Sequence, residues 1–325
     1  MTLRVGFDSR PVAGRGGVGR YARSLLAALA EVAPERGGEL VEGHRSRRVD
    51  VLHAPWGDGA PLRPRIPTVV TLHDLMPLKR RGEYLRAGLR GRMRSLAAGR
   101  AAAVIVPTGA VADDAHELLG IDRARIHVVP EAADAVFSPR DAAQVATVRR
   151  RYRLPDDYLL WVGSLRRPDP RKRVAALTEA PRTLPLVLVG DHSQWARELQ
   201  DVILTGAVPD DHLAAIYSGA RALVFPSDDE GFGLPTVEAL ACGTPVVACD
   251  LPALREVLGP RATFVSTDDL PGLLAKAEHS VRPAPLPPQW TWADAANATW
   301  DVYEAAVDGG AGGVPGGRGT ASPGA

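Results

Sequence analysis

Ten short, mostly apolar runs punctuate this chain: Leu3–Phe7, Val49–His53, Thr68–Leu72, Ala103–Val106, His127–Val129, Leu159–Val162, Leu186–Val189, Ala222–Phe225, Pro245–Ala248 and Thr263–Val265. Runs this short and this apolar are what parallel strands buried on both faces look like. Helical patterns fall between them, at Val18–Val32, Tyr84–Ala98, Ala110–Leu119, Arg173–Ala180, Asp210–Gly219, Pro235–Cys242 and Trp292–Ala306. A strand-helix-strand rhythm kept up along the chain predicts doubly wound α/β structure.

The rhythm breaks near residues 138–157. Ser138-Pro139 closes one half, a polar helix-like stretch follows, and Leu154-Pro155 precedes a new strand. With 325 residues and 45% apolar content, two cores are affordable. The expected division is a Rossmann-like half over 1–150 and a second over 151–290, with ligands bound at strand C-termini in the crevice between them. Val281–Gln289 is proline-rich and should run along a surface. The last stretch, 309–325, is almost all Gly, Pro, Ala, Ser and Thr, and is expected to be a disordered tail.

Charge and cysteine content narrow the partners. The net charge of +1 argues against a general nucleic-acid binder. The two cysteines, Cys242 and Cys249, have no metal-ligand spacing and read as buried thiols of a reducing compartment. No apolar run approaches the ~20 residues that span a bilayer. The sequence opens at once on a strand, without a signal-peptide pattern, so a cytoplasmic protein is expected.

The densest chemistry lies in Glu230-Gly231-Phe232-Gly233-Leu234-Pro235-Thr236-Val237-Glu238, between an apolar run and a short helix that stops at Gly243. A glycine-rich turn feeding a helix N-terminus favours anions such as phosphate. A carboxylate one turn inside that helix can accept two hydrogen bonds from a vicinal diol such as a ribose. The stretch reads as a site for a sugar-linked nucleoside diphosphate. Three other places point at the same crevice. Asp8 to Tyr21 joins the first strand to the first helix, and Gly14, Gly16 and Gly19 formally match a G-x-G-x-x-G, although Arg10 to Ala13 intervene after the strand. His73, at a strand end, either hydrogen-bonds a sugar hydroxyl or is a structural histidine; Asp74 beside it reads as no more than a helix or turn cap. Gly163-Ser164 ends the first strand of the second half, and Arg171-Lys172 follow, a fork and a point charge suited to a diphosphate, with a solvated basic loop as the bland alternative. The basic stretch 79–100, with Tyr84, Leu85, Leu89, Met93 and Leu96 interleaved, is either an ordinary surface helix or a peripheral contact for the inner face of an anionic membrane. No P-loop, G-x-S-x-G, H-E-x-x-H, C-x-x-C or Asp-x-Asp occurs.

Taken together these residues resemble the family 4 retaining glycosyltransferases of GT-B fold, mannosyltransferases among them, from Val5 to about Tyr303. The pieces that carry the resemblance come in order. They are Arg10-Pro11 with Gly17-Val18-Gly19-Arg20-Tyr21, Val70 to Leu75, Ala103 to Thr108, Val128-Val129-Pro130, Gly163-Ser164-Leu165 with Arg171-Lys172, and the E-x7-E run Glu230 to Glu238. Trp292 to Tyr303 resembles the terminal helix that crosses back onto the N-terminal domain, expected here over 291–308.

The resemblance implies transfer of a hexose, mannose or glucose, from a nucleotide-diphosphate sugar to a hydroxyl. That hydroxyl would belong to a glycan, a lipid-linked sugar or a small molecule. It assigns Glu238 to the donor ribose and Glu230 to the transferred sugar. Gly231, Phe232, Gly233 and Leu234 would offer backbone N–H groups to the donor. Arg171 and Lys172, with Gly163 and Ser164 beside them, would hold the diphosphate. Gly16 and Gly17 would approach the phosphate or acceptor, and His73 the sugar near its anomeric centre. No metal or other cofactor is implied. The departures are a short span from Glu31 to Val51, compression over Ala180 to Asp201, Glu131-Ala132-Ala133 where Asn-Gly is usual, and Ser164 where many members have Arg. They leave the acceptor open and admit a second reading, a weakly active or inactive sugar-nucleotide-binding or partner-binding GT-B protein. An NAD-dependent dehydrogenase built on Gly14, Gly16 and Gly19 would leave Glu230 to Glu238 unexplained.

Overall fold

A computed structural model of the chain describes residues 2–14, 16–43, 48–79, 93 and 95–311. Two six-stranded sheets form, and every strand pairing in them is parallel. The first holds β1 Arg4–Phe7, β2 Glu39–Glu42, β3 Val51–Ala54, β4 Thr68–Thr71, β5 Ala103–Val106 and β6 Ile126–Val128, in the order β2-β1-β3-β4-β5-β6. The second holds β7 Leu159–Val162, β8 Leu186–Val189, β9 Val202–Gly206, β10 Ala222–Phe225, β11 Val246–Cys249 and β12 Thr263–Val265, in the order β12-β11-β10-β7-β8-β9.

This strand order sets where a ligand can sit. In each sheet the chain winds outward one way and then returns to wind the other, so a crevice opens at the reversal, outside the strand C-termini. The reversal falls between β1 and β3 in the first sheet and between β7 and β10 in the second. The loops that leave β1, β7 and β10 are the glycine loop, the Arg171-Lys172 loop and the Glu230 turn.

The described helices are α1 Gly17–Glu35, α2 Met76–Lys79, α3 Gly109–Leu119, α4 Ala142–Tyr152, α5 Val174–Glu179, α6 Gln194–Arg197, α7 Asp210–Gly219, α8 Leu234–Ala241, α9 Pro252–Leu258, α10 Leu270–Glu278 and α11 Trp292–Ala311. None is long and apolar enough to cross a membrane. Strands β4, β5, β8, β10 and β11 are buried along their whole length, so apolar side chains on both faces meet helices rather than water.

The last helix returns to the first half. α11 packs on α1, with Trp300 and Tyr303 wholly buried against it and the first sheet. It runs to Ala311, past the point where composition ended it at 308; the glycines at 309 and 310 continue the helix. The division expected at residue 150 also shifts. Helix α4 packs on α7 of the second half, where Tyr152 Oη meets His212 Nδ1 at 2.8 Å and Arg149 donates to the Gly219 carbonyl. An Asp141–Gln144 capping box starts that helix. The structural joint therefore precedes residue 142. Most of the helix expected over Tyr84–Ala98, and of the basic stretch 79–100, lies outside the described residues.

Candidate functional site

The two halves face each other across a cleft of about 700 Å³. Gly16, Gly17, His73, Gly163, Ser164, Arg171, Lys172, Glu230, Gly231, Phe232, Gly233, Leu234 and Glu238 all line it. Arg20, Asp74, Glu131, Asp191 and Asp210 line it too.

The Glu230 turn gets its shape from two glycines. Gly233 sits at φ +84°, in the left-handed region, and starts α8. Gly231 is pressed by the first half: a Cβ there would lie 1.7 Å from the His73 carbonyl oxygen. The first turn of α8 has no side-chain cap. Pro235 has no N–H, and the Thr236 N–H returns to the Gly233 carbonyl at 2.8 Å. Leu234 N–H bonds to no acceptor among the described residues, which leaves it for an anion. Glu230 accepts from Ser227 Oγ at 2.9 Å; burial pushes its carboxyl up from the usual range, against the pull of Lys172.

The diphosphate loop is arranged unequally. Arg171 is clamped by Asp169 in a two-pronged contact, 3.1 and 2.9 Å, and reaches Asp74 of the first half at 3.3 Å. Burial would lower its pKa, but the carboxylates outweigh it and hold it raised. Lys172 has no ion pair among the described residues; its Nζ lies 5.9 Å from the Trp161 ring centroid. It is the cation ready to meet a ligand, whereas Arg171 must share itself with two aspartates. Ser164 Oγ donates to Asp191 Oδ1 at 2.9 Å.

Glu238 is buried at 2% exposure, with one hydrogen-bond donor on each carboxylate oxygen. Arg20 Nη1 donates to its Oε1 at 2.8 Å, and Tyr217 Oη donates to its Oε2 at 3.0 Å. The other arm of Arg20 reaches Asp210 Oδ1 at 2.7 Å, and the guanidinium lies 5.0 Å over the Phe137 ring. Burial pushes Glu238 up to about 7, while Arg20 and Tyr217 pull it down.

Of the two readings of His73, its protein partners favour the structural one. Both ring nitrogens already have acceptors: Nδ1 faces Glu131 Oε1 at 3.0 Å and Nε2 faces the Pro55 carbonyl at 3.0 Å. Two acceptors on one ring call for two N–H donors, that is, an imidazolium. Burial opposes that charge, but the Glu131 carboxylate outweighs it and the pKa is raised. The ring is therefore spoken for by Glu131 and Pro55, and offers the cleft no free N–H. Tyr21 packs edge-on against it, centroids 4.5 Å apart.

Arg20, Glu131, Asp210 and Tyr217 had no role from sequence. Arg20 stands inside the quoted Gly17 to Tyr21 run, and Glu131 replaces the usual Asn-Gly, so each left a trace. Asp210 and Tyr217 left none. The two cysteines are buried and unpaired, and burial pushes their thiols up to about 12 and 11, so both are inert.

Both halves of the chain match known protein families. Residues 33–137 match the family described as Glycosyltransferase Family 4, and residues 156–281 match that described as Glycosyl transferases group 1. A D-inositol 3-phosphate glycosyltransferase of Xylanimonas cellulosilytica is 31% identical over 310 residues, 82% of this chain and 74% of that protein. The O-antigen chain mannosyltransferase B of Escherichia coli is 31% identical over 183 residues, 49% of this chain and 46% of that protein. The chain spans less than half the length of this and the next curated relatives it matches. Among solved structures, Anabaena Alr3699/HepE in complex with UDP-glucose superposes with a TM-score of 0.65 at 16% identity, covering 94% of this chain and 98% of that one. The fold is GT-B, and the chain belongs to the family 4 glycosyltransferases.

Proposed function

We propose that this chain transfers a hexosyl unit from a nucleoside diphosphate sugar to an acceptor hydroxyl, without a metal and with retention of anomeric configuration. The observation that carries this reading is convergence: the loops after β1, β4, β7 and β10 bring glycine loop, imidazolium, basic pair and E-x7-E turn to one cleft. Lys172, the Leu234 N–H and a shared Arg171 would take the diphosphate. Glu238 would take the ribose diol, and Glu230 a hydroxyl of the sugar. As the bond to the leaving phosphate breaks, negative charge grows on the diphosphate, and preorganised cations offset it in place of a metal. A front-face displacement fits, in which the leaving phosphate oxygen takes the acceptor proton and positioning does most of the catalysis.

A relative named O-antigen chain mannosyltransferase, another named D-inositol 3-phosphate glycosyltransferase and a structural neighbour solved with UDP-glucose support mannose or glucose as the sugar and a glycan or small-molecule hydroxyl as the acceptor. Exposed Met93 and Leu96 at the described end of the basic stretch support a peripheral membrane contact there, testable by flotation with anionic vesicles.

A thermal-shift panel of UDP, GDP, ADP and their sugars tests the reading. Ligand at 100 times Kd should add about 2.7 kcal/mol of stability, and turnover of the best donor should release the matching nucleoside diphosphate. No shift with any nucleotide would sink it. Binding without release, with any hydroxyl supplied, would favour the weakly active reading that Glu131 and the committed Arg171 also support.

A further inference from the structure

Between the halves, one arginine does something the transfer reading does not require. Arg20 rises from α1 of the first half and grips two carboxylates of the second, Glu238 on α8 at 2.8 Å and Asp210 on α7 at 2.7 Å. Glu238 takes Arg20 on one oxygen and Tyr217 on the other. A carboxylate has about four lone-pair sites. These contacts use one site on each oxygen and leave one on each, the number a vicinal diol needs. Arg20 itself is pinned three ways, by Glu238, by Asp210 and by the Phe137 ring beneath it.

We propose that Arg20 is a positioning residue for the donor's ribose: it holds Glu238 as an oriented, ionised acceptor, so the diol site is complete only while the two halves are closed on each other. The inference rests on the glycosyltransferase reading above, and on its assignment of Glu238. Its consequence is a linkage. A nucleotide that uses its diol stabilises the closed form, and one without a diol does so less. Asp210 keeps the guanidinium in place whether or not Glu238 is engaged, so the diol need not displace it.

Calorimetric titration of the full chain tests this. The probes are whichever of UDP, GDP or ADP the wild type binds, and its 2′,3′-dideoxy counterpart. Arg20→Gln should weaken the ribonucleotide about tenfold or more, the worth of one charge-assisted hydrogen bond, and leave the dideoxynucleotide nearly unchanged. Arg20→Lys, which keeps a charge but loses the fork, should recover part of the loss. Tyr217→Phe, nearly isosteric, should show a smaller loss with the same dependence on the diol, and stands in if the arginine variants do not fold. Equal losses for both probes would reduce Arg20 to a simple bridge between the halves and overturn the proposal, as would no loss at all. A wild type that binds no nucleoside diphosphate sinks the transfer reading and this inference together. A wild type that binds both probes equally leaves transfer standing and overturns the diol assignment alone.

Discussion

At the scale of single residues, the cleft separates charges already committed from one still available. Lys172 is the available one, so Lys172→Ala should lower kcat by about 10²-fold, as loss of one charge-stabilising donor does. A near-normal kcat at saturating donor would remove Lys172 from the mechanism. Glu238 sets a pH dependence. Its carboxyl, pushed by burial up to about 7, faces Arg20, Asp210, Asp134, Tyr217 and Cys242. Diol recognition uses the ionised form, so nucleotide affinity should fall about tenfold per unit as pH drops below that value. Stability runs the other way. The folded pKa lies above the unfolded 4.5, so the contribution is complete below 4.5 and is lost as pH rises through 7. Nucleotide titrations from pH 5.5 to 8.5 check the first sign. That Glu230, Gly231, Lys172 and Glu238 line one cleft was legible because turn and helix-start signals are local. The partners of His73 and Glu238 were not, because Glu131 is 58 positions from one and Arg20 is 218 from the other.

At the scale of elements, the ten strands read from sequence are present, within a residue or two at their ends, and the two that were missed, β2 and β9, share a cause. Each lies at one edge of its sheet, as β6 and β12 do at the other. An edge strand tolerates polar residues; β2 is bracketed by Glu39 and Glu42 and β9 ends in Thr205-Gly206, so neither shows the unbroken apolar run that marks a buried strand. Helices α9 and α10 are short and carry proline in the first turn, and neither was read from sequence. One buried chain links elements far apart in sequence. Tyr303 on α11 meets His53 Nδ1 at 2.6 Å, His53 Nε2 meets Thr71 Oγ1 at 2.8 Å, and Thr71 Oγ1 meets Tyr21 Oη of α1 at 3.0 Å. Burial, with His73 adding, pushes His53 down to about 3. Above pH 6.5 the ring is neutral folded and unfolded, and its contribution is complete. As pH falls from 6.5 toward 3, only the unfolded chain gains a proton, at a cost of about 1.4 kcal/mol per unit. Urea unfolding should therefore show about 2 kcal/mol less stability at pH 5 than at 7 from this group, and His53→Gln should flatten that part of the slope. An unchanged slope in the variant would mean the ring titrates normally.

At the scale of the molecule, two sheets are held closed by contacts that cross the cleft. Besides Arg20, Lys79 reaches Asp229 at 3.0 Å, Arg171 reaches Asp74, and Thr108 Oγ1 donates to the Gly231 carbonyl at 3.0 Å. Gly231 is the tightest of these meeting points. Gly231→Ala should wedge the halves apart, raise the radius of gyration in solution scattering, and lower kcat/KM about 10²-fold, the cost of ~1 Å of misplacement. A variant as compact and as active as wild type would show that the His73 carbonyl can retreat. Two halves were legible in the strand pattern. Which half owned α4 was not, because a polar helix between two domains carries no mark of the surface it covers.

One of these crossings has a consequence for watching the molecule work. Glu256, on α9 of the second half, accepts from the Gly109 and Ala110 amides at 2.8 and 3.3 Å and so sits on the first turn of α3 in the first half. When the jaws part, those two amides lose their acceptor and meet solvent, while Thr108 still holds Val111. Deuterium uptake at the Gly109 and Ala110 amides thus becomes a built-in gauge of jaw opening that needs no attached probe.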